Sequence, residues 1–301
     1  MRSVYYWGLD LISMSVSRPS RVKVAHIYLK RVVRWRRNST PYISGDAFAD
    51  LCDYVYKPPK WRNFNRDVSI SEAKSIFCKS HELQEMLDQH SDELTASVIV
   101  CGNSDFEFHS LPARIPKTTK ALYLQNSFIS DNEFIFSIPI GIENFRLGVN
   151  GNPKFIRNLA TDGRTKRTML FGPLSPTHPV RDIVIQRFGQ DDPRWEFVSG
   201  RLSPKEYDEL TRQFHMIAAV RGNGIDTHRL WESLYRGLTP VVTMDDWWKS
   251  LQELFPQVVT VNDWNISETT EITIPKAFEP WELPPLWMPF WEAKMRKCLD
   301  N

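Results

Sequence analysis

The segment Met216–Val242 constrains the fold of this chain most, because it places two buried strands and a helix in one short stretch. Met216–Val220 is short and uniformly apolar, which is typical of a strand covered on both faces. Arg221–Gly224 is a glycine-bearing turn, an amphipathic helix follows it, and Thr239–Val242 resumes as a strand. Strands that alternate with helices in this way predict an α/β fold with a parallel sheet.

The turn and the start of the helix favour an anionic ligand. Asp226 or Thr227 is suited to cap the helix, whose free N–H groups and positive dipole end attract a phosphate. Arg229, one turn along, can add a charge-assisted contact, and Glu232 can accept hydrogen bonds from ribose hydroxyls. A second interpretation stays open, in which Glu232 is simply a surface ion-pair partner of Arg229 and Arg236.

The same turn differs from the two common nucleotide-binding motifs. After Gly222 and Gly224 the third glycine of a dinucleotide fingerprint is absent, which argues against a Rossmann oxidoreductase. The helix does not open with Gly-Lys-Ser/Thr, so the turn is not a P-loop. The residues alone therefore indicate an anionic ligand, with a nucleotide as the leading choice.

These residues resemble the donor-binding segment of exostosin-like glycosyltransferases and related GT-B enzymes. That family carries the pattern Gly-x-Asp-x-x-Arg-x-x-Glu-x-x-x-x-Gly-x-x-Pro-Val-Val, and the resemblance is strongest over Thr168–Val242. The matching positions are Gly224, Asp226, Arg229, Glu232, Gly237, Pro240, Val241 and Val242. The resemblance implies that Arg229 and Glu232 contact the phosphates and ribose of a UDP- or GDP-linked sugar donor. It also implies that transfer is inverting. The basic, aromatic N-terminal stretch favours a glycan or lipid-linked acceptor in cell-surface polysaccharide synthesis, and no cofactor is expected.

A GT-B enzyme has two Rossmann-like domains that face each other across a cleft. On this basis we expect an acceptor-side domain over residues 1–150 and a nucleotide-sugar domain over residues 166–275. Gly148–Thr165 is rich in Gly, Asn and charge and is the predicted linker. Residues 276–301 form a Pro- and Trp-rich tail, in which a helix at Trp291–Leu299 is expected to cross back onto the first domain.

Other elements follow from apolar runs and capping residues. The predicted strands are Ala96–Cys101, Lys120–Leu124, Ile138–Asn144, Thr168–Phe171, Trp195–Val198 and Val258–Val261. The predicted helices are Ser71–Cys78, Pro179–Phe188 and Ser203–Gln213, the last opened by a capping box from Ser203 to Glu206.

Loops after the strands of two such domains would converge on one ligand site. The predicted donor-binding residues are Gly172, His178, Arg181, Arg221, Gly222, Asn223, Gly224, Asp226, Thr227, Arg229 and Glu232. Inverting transfer also needs a base for the acceptor hydroxyl, and Asp105 is the first choice, followed by Glu107 and then His109. An alternative for Asp105 is a turn or cap aspartate, and Asn103 and Asn126 are equally suited to forming turns.

Several function classes are disfavoured by what the chain lacks. A GT-A enzyme would use Asp-x-Asp to hold a metal ion, and that motif does not occur in the sequence. Zinc spacing and Gly-x-Ser-x-Gly are also absent, so we expect neither a metal site nor an α/β-hydrolase. Trp247-Trp248 is expected at the rim of the nucleotide site. A non-catalytic nucleotide- or glycan-binding module of the same fold stays open as an alternative to an enzyme.

Composition bears mainly on location and partners. The net charge of +2 gives no general reason to expect nucleic-acid binding, and four scattered cysteines fit a reducing cytoplasm. Arg21–Arg37 contains seven Lys/Arg and no acid, interleaved with apolar residues, which favours contact with an anionic membrane surface. The alternative is a basic element packed on the domain. We therefore expect a cytoplasmic protein with a peripheral membrane contact through this segment.

Overall fold

The computed structural model describes residues 39–58, 68–147, 152–153, 156, 166–189, 195–266, 272–273 and 275–300. Arg21–Arg37, which was expected to contact a membrane, lies outside these residues, as does most of the predicted linker Gly148–Thr165. Among the described residues, no helix combines the length and the apolar character needed to cross a membrane.

The first half of the described chain forms a five-stranded sheet in which all paired strands run parallel. The strands, in spatial order, are β1 (Tyr54–Val55), β2 (Ser75–Lys79), β3 (Val98–Gly102), β4 (Ala121–Leu124) and β5 (Ile135–Ser137). Helix α1 (Gly45–Leu51) precedes β1, and α2 (Leu83–His90) lies between β2 and β3. β3 and β4 are buried at every residue, as expected of short apolar strands covered on both faces.

The second half forms another five-stranded parallel sheet, in which the strand order reverses. Its strands are β6 (Lys166–Phe171), β7 (Trp195–Phe197), β8 (Phe214–Ala218), β9 (Thr239–Thr243) and β10 (Val259–Val261). Its helices are α3 (Pro179–Phe188), α4 (Pro204–Thr211), α5 (His228–Tyr235) and α6 (Asp246–Lys249). The spatial order is β7-β6-β8-β9-β10, so the chain builds outward from β6 in both directions. Such a reversal opens a crevice at the carboxyl ends of β6 and β8, where ligands bind in open parallel sheets.

The prediction of an α/β chain with parallel strands is confirmed, and two predicted elements are wrong. Ser71–Cys78 was expected to be a helix, but Ser75–Lys79 is a strand paired with both β1 and β3. Ile138–Asn144 was expected to be a strand, but β5 ends at Ser137 and the chain continues as a loop. A short apolar run fits a buried strand and a buried helix equally well, so only the neighbouring strands decide between them.

One hydrophobic core continues from the first sheet into the second. Buried residues of α1 and β3 share a single cluster with buried residues of α5 and with Trp248. Helix α7 (Met288–Asp300) completes this cluster by packing against α1 and β3. The ring of its Trp291 lies 6.0 Å from the ring of Phe48 in an edge-on arrangement. The end of the described chain thus returns to its beginning.

Candidate functional site

Loops that follow the strands of the two sheets contact each other directly. Asn126, just after β4, adopts a positive φ of +53°. Its Oδ1 accepts a hydrogen bond from the backbone N–H of Asp226 at 3.0 Å, and its Nδ2 donates to the carbonyl oxygen of Ser104 at 3.0 Å. Beside it, Nδ1 of His228 donates to the carbonyl oxygen of Gly141 at 2.7 Å. The start of α5 is therefore fixed against the loops of the first sheet.

Asp226 is buried in this contact, and both of its carboxylate oxygens accept hydrogen bonds. Oδ2 accepts from the backbone N–H of Ile140 at 2.8 Å, and Oδ1 accepts from the indole N–H of Trp231 at 2.7 Å. Burial raises the pKa of Asp226 to about 7, although these hydrogen bonds and one from the backbone of Thr227 act in the opposite direction. The structure thus places Asp226 as a link between the two sheets.

The N-cap of α5 is Thr227, and its side chain does not close the end of the helix. Thr227 has extended backbone angles but makes no side-chain capping hydrogen bond. Its Oγ1 is buried without a hydrogen-bond partner among the described residues. The preceding turn is tight: a Cβ on Gly224 would lie 3.1 Å from the Asn126 amide, and one on Gly222 would lie 3.0 Å from Nη2 of Arg181. Asn223, between these two glycines, is exposed.

Arg181 lies at the carboxyl ends of β6 and β8, where its partners among the described residues are all main-chain carbonyl groups. Its Nε, Nη1 and Nη2 donate to the carbonyl oxygens of Arg221, Ser175 and Val220 at 2.8, 3.1 and 3.1 Å respectively. Burial and the neighbouring Arg229 lower the pKa of Arg181 to about 10. Arg181 therefore holds the loop after β6 against the loop after β8.

Gly172 allows the β6 loop to turn tightly over the neighbouring strand. Its φ is +89°, and a Cβ at this position would lie 2.2 Å from the carbonyl oxygen of Val198. Residues with a side chain are strongly disfavoured in this conformation, so the loop requires glycine here. The tight turn brings the following residue, Pro173, to the guanidinium group of Arg229.

Arg229 carries a buried guanidinium nitrogen that has no partner in the described part of the chain. Its Nη2 donates to the carbonyl oxygen of Pro173, and its guanidinium carbon lies 5.8 Å from the ring centroid of Tyr207. Its Nη1 is buried and has no hydrogen-bond partner among the described residues. A buried donor without a partner is costly, so this nitrogen is suited to an anionic ligand.

Glu232 lies one turn further along α5 and is buried in a cluster of charges. Its Oε2 is 3.7 Å from Nη1 of Arg236, whose Nε is 3.6 Å from Oδ1 of Asp208 on α4. Burial raises the pKa of Glu232, while the charges of Arg236, His228 and Arg229 oppose that shift. The ion pair with Arg236 is thus present, but it is buried and not on the surface.

Arg221 connects the crevice to the loop after β3. Its Nη2 lies 2.6 Å from Oε1 of Glu107, and the two side chains are 23% and 20% exposed. Nε of Arg221 is buried and has no partner among the described residues. The structure thus joins a predicted donor-binding residue to a predicted catalytic one. Asp105 lies on the same loop as Glu107, with its side chain exposed to solvent.

His178 is the N-cap of α3, where its Nδ1 accepts a hydrogen bond from the backbone N–H of Val180 at 3.2 Å. Burial, together with the charges of Arg221 and Arg181, lowers the pKa of His178 against the opposing effect of Glu107. The charges of Arg221 and Arg181 both lower the pKa of this one imidazole, and the charge of Arg229 lowers the pKa of Arg181. The three guanidinium groups are therefore electrostatic neighbours. Of these three, Arg221 alone has a carboxylate within 4 Å among the described residues.

Some features of the site could not be inferred from the sequence. Tyr207, on α4, has Arg229 and Arg236 near its ring, although its only sequence signal is a position in a capped helix. Trp247 and Trp248 were expected at the nucleotide rim, but both belong to the buried core that joins the sheets. Within the described ranges, His, Cys, Asp and Glu form no group that could hold a metal ion.

Comparisons with known proteins find similarity among solved structures. No protein-family model matches the chain. No curated protein matches it either. The chain is similar to the crystal structure of AviGT4, a glycosyltransferase involved in avilamycin A biosynthesis, with 15% sequence identity and a TM-score of 0.36. The match covers 74% of this chain and 83% of that one. The function must therefore be argued from the geometry of the site.

Proposed function

We propose that this protein is a glycosyltransferase of the GT-B type that takes its sugar from a UDP- or GDP-linked donor. In this proposal the two sheets belong to the two facing domains. The donor lies in the crevice at the carboxyl ends of β6 and β8. The acceptor is a glycan or lipid-linked sugar of cell-surface polysaccharide synthesis, and transfer is inverting and independent of metal. The exostosin-like pattern around Arg229 and Glu232 supports the class of donor.

The unpartnered Nη1 of Arg229 is the observation that carries this proposal. It lies at a strand-order reversal, one turn into a helix whose N-cap hydroxyl is also unpartnered among the described residues. Arg181 and Arg221 add positive charge to the same crevice, so a diphosphate would neutralise the cluster and satisfy the buried donors. In the same proposal Glu232 contacts the ribose.

A non-catalytic binding module of the same fold is the second candidate. One observation favours it: Glu107, a candidate base, is already paired with Arg221 at 2.6 Å. A carboxylate oxygen that is bound to a guanidinium group is not available to contact an acceptor hydroxyl. Such a module would bind the donor and neither transfer nor hydrolyse its sugar.

Thermal-shift measurements with UDP-, GDP- and CMP-sugars test the proposal, because a ligand that binds only the folded state stabilises it. We expect a UDP- or GDP-sugar to raise the melting temperature. Arg229→Ala should weaken binding by about ten- to a hundredfold, the usual effect of losing a charged hydrogen bond. Arg229→Gln, which keeps a polar N–H donor but removes the charge, separates lost binding from lost folding.

The matched control is Arg296→Ala on α7. Arg296 is 69% exposed and pairs with Glu292 on the same helix, so its loss should leave the shift unchanged. The proposal fails if no nucleotide sugar stabilises the protein. It also fails if both Arg229 variants remain folded and bind the donor as tightly as the wild type.

A further inference from the structure

In the loop after β3, the side chains of Glu107 and His109 lie on the same side of the backbone. Phe108 is buried and forms a bridge to Ser127, with its N–H donating to the carbonyl oxygen of Asn126 at 3.0 Å. The N–H of Phe128 donates back to the carbonyl oxygen of Phe108 at 2.9 Å. Side chains alternate along such an extended segment, so Glu107 and His109 lie opposite the buried Phe108.

Glu107 and His109 form a connected pair at the edge of the crevice. Nε2 of His109 lies 3.7 Å from Oε2 of Glu107, whose other oxygen is paired with Arg221. The imidazole stacks on the ring of Phe128, with centroids 4.6 Å apart and an interplanar angle of 21°. Glu107 is 20% exposed and His109 is 67% exposed. The imidazole is thus held on one face by Phe128 and has one nitrogen within ion-pair distance of Glu107, while most of the side chain is open to solvent.

We propose that His109 is the base that deprotonates the acceptor hydroxyl, and that Glu107 is its positioning residue. This inference rests on the proposed function. In this proposal the proton of the neutral imidazole is on Nε2, the nitrogen nearer to Glu107, and Nδ1 carries the free electron pair. The acceptor oxygen bonds to the anomeric carbon of the donor sugar while its proton passes to Nδ1. The bond from that carbon to the diphosphate breaks, and its electron pair leaves on the nucleoside diphosphate beside the arginines.

The two carboxylates of this loop, those of Asp105 and Glu107, are less suited than His109 to act as the base. Oε1 of Glu107 is occupied by Arg221, so that carboxylate is already bound to a cation. Asp105 is exposed, and within the described part of the chain its carboxylate has no hydrogen bond or ion pair to orient it. A base must be held within reach of the proton that it removes, which His109 satisfies through Phe128 and Glu107.

Donor hydrolysis tests this assignment without knowledge of the acceptor, because water can replace the acceptor hydroxyl. The substrate is whichever of UDP-glucose, UDP-N-acetylglucosamine and GDP-mannose stabilises the protein most. His109→Gln should lower kcat by about a hundred- to ten-thousandfold, the usual contribution of a general base, and leave donor affinity within about twofold. Added imidazole should restore activity to His109→Ala.

The control and the double variant separate catalysis from structure. His81→Gln is the control, because His81 is also an exposed histidine beside this loop, bonded to Ser104 at 2.8 Å, and its variant should keep wild-type activity. Glu107→Gln should slow wild-type hydrolysis but should have no further effect in the His109→Gln background, as expected of residues that act together.

The possible results lead to distinct conclusions. Absence of donor binding overturns the proposed function. Donor binding without any hydrolysis or transfer by the wild type overturns the assignment of His109 and supports the non-catalytic module. Wild-type turnover that survives in His109→Gln overturns the assignment and leaves the glycosyltransferase proposal standing. The assignment of His109 is also overturned if imidazole does not restore turnover to His109→Ala. It is likewise overturned if Asp105→Asn abolishes turnover while His109→Gln remains active.

Discussion

A single buried carboxylate, that of Asp226, makes the stability of the protein depend on pH. Its pKa is about 7 in the folded protein and near the ordinary value of about 3.9 when unfolded. At any pH between those two pKa values, Asp226 is protonated in the folded state and ionised in the unfolded state. The stabilisation from Asp226 is therefore complete below about pH 4 and is lost as the pH rises through about 7.

Urea unfolding of the wild type and of Asp226→Asn should reveal this dependence. Asparagine cannot ionise. The free energy of unfolding of the wild type, relative to that of the variant, should therefore decrease by roughly 2–3 kcal/mol between about pH 5 and about pH 8. Asp246→Asn is the control, since Asp246 is 65% exposed and its difference from the wild type should vary little. A stability difference for Asp226→Asn that is constant with pH would contradict the assignment.

For residues of the candidate site, the sequence indicated the chemical type of each side chain but not its burial or its neighbours. The spacing placed Arg229 and Glu232 on one side of α5, and the structure brings Arg229, Arg221 and Arg181 into one electrostatic cluster. The sequence could not show that Glu232 would be buried, because its partner Arg236 packs against Tyr207 and Asp208 of the separate helix α4. A helical wheel describes one helix and contains no information on what packs against its polar side.

At the scale of elements, tight turns set where the two sheets meet, and Gly141 is the clearest case. Its φ is +69°, and a Cβ would lie 2.1 Å from the carbonyl oxygen of Ile43. Gly141→Ala should therefore cost about 3 kcal/mol, from the backbone conformation and the collision together. Chemical denaturation should show the loss, and donor binding should weaken with it because His228 bonds to the same residue.

Gly200 offers a matched control for Gly141. Its φ is +83°, but a Cβ there would have no heavy atom within 4 Å. Gly200→Ala should therefore cost only about 1 kcal/mol, the conformational part alone. Equal losses at the two positions would show that the collision with Ile43 has no effect on stability.

Elements with strong local signals were predicted well, and the two errors share a cause. The capping box of α4 and the proline at the start of α3 fix those helices locally. Ser75–Lys79 and Ile138–Asn144 lack such signals. The first is a strand because β1 and β3 supply hydrogen bonds on both sides, and the second is a loop that bonds instead to Asp226 and His228. Partners distant in sequence decided both cases.

At the scale of the whole molecule, the shared core predicts one cooperative unfolding transition. Residues from both sheets and from α7 belong to the same buried cluster, so loss of either sheet would expose the other's apolar surface. We expect calorimetry to show one transition with equal calorimetric and van't Hoff enthalpies. Two resolved transitions would contradict this expectation.

Trp291→Ala tests the role of α7 in that cooperativity. Trp291 is fully buried in the cluster that contains residues of both sheets. Its truncation should cost about 3–5 kcal/mol and lower the melting temperature of the single transition without splitting it. Trp281→Ala is the control, because Trp281 is 40% exposed and its loss should change the melting temperature little. The strand order behind this arrangement was not predictable, since every buried parallel strand has the same apolar pattern.

The attachment of Arg181 to three main-chain carbonyl groups bears on how the protein can evolve. The two loops that it joins owe their spacing to backbone atoms, which every amino-acid sequence supplies. Exposed positions such as Asn223 are therefore free to change without altering that spacing. Substitutions on these loops would therefore change which groups face a ligand and leave the arrangement of the two loops as it is.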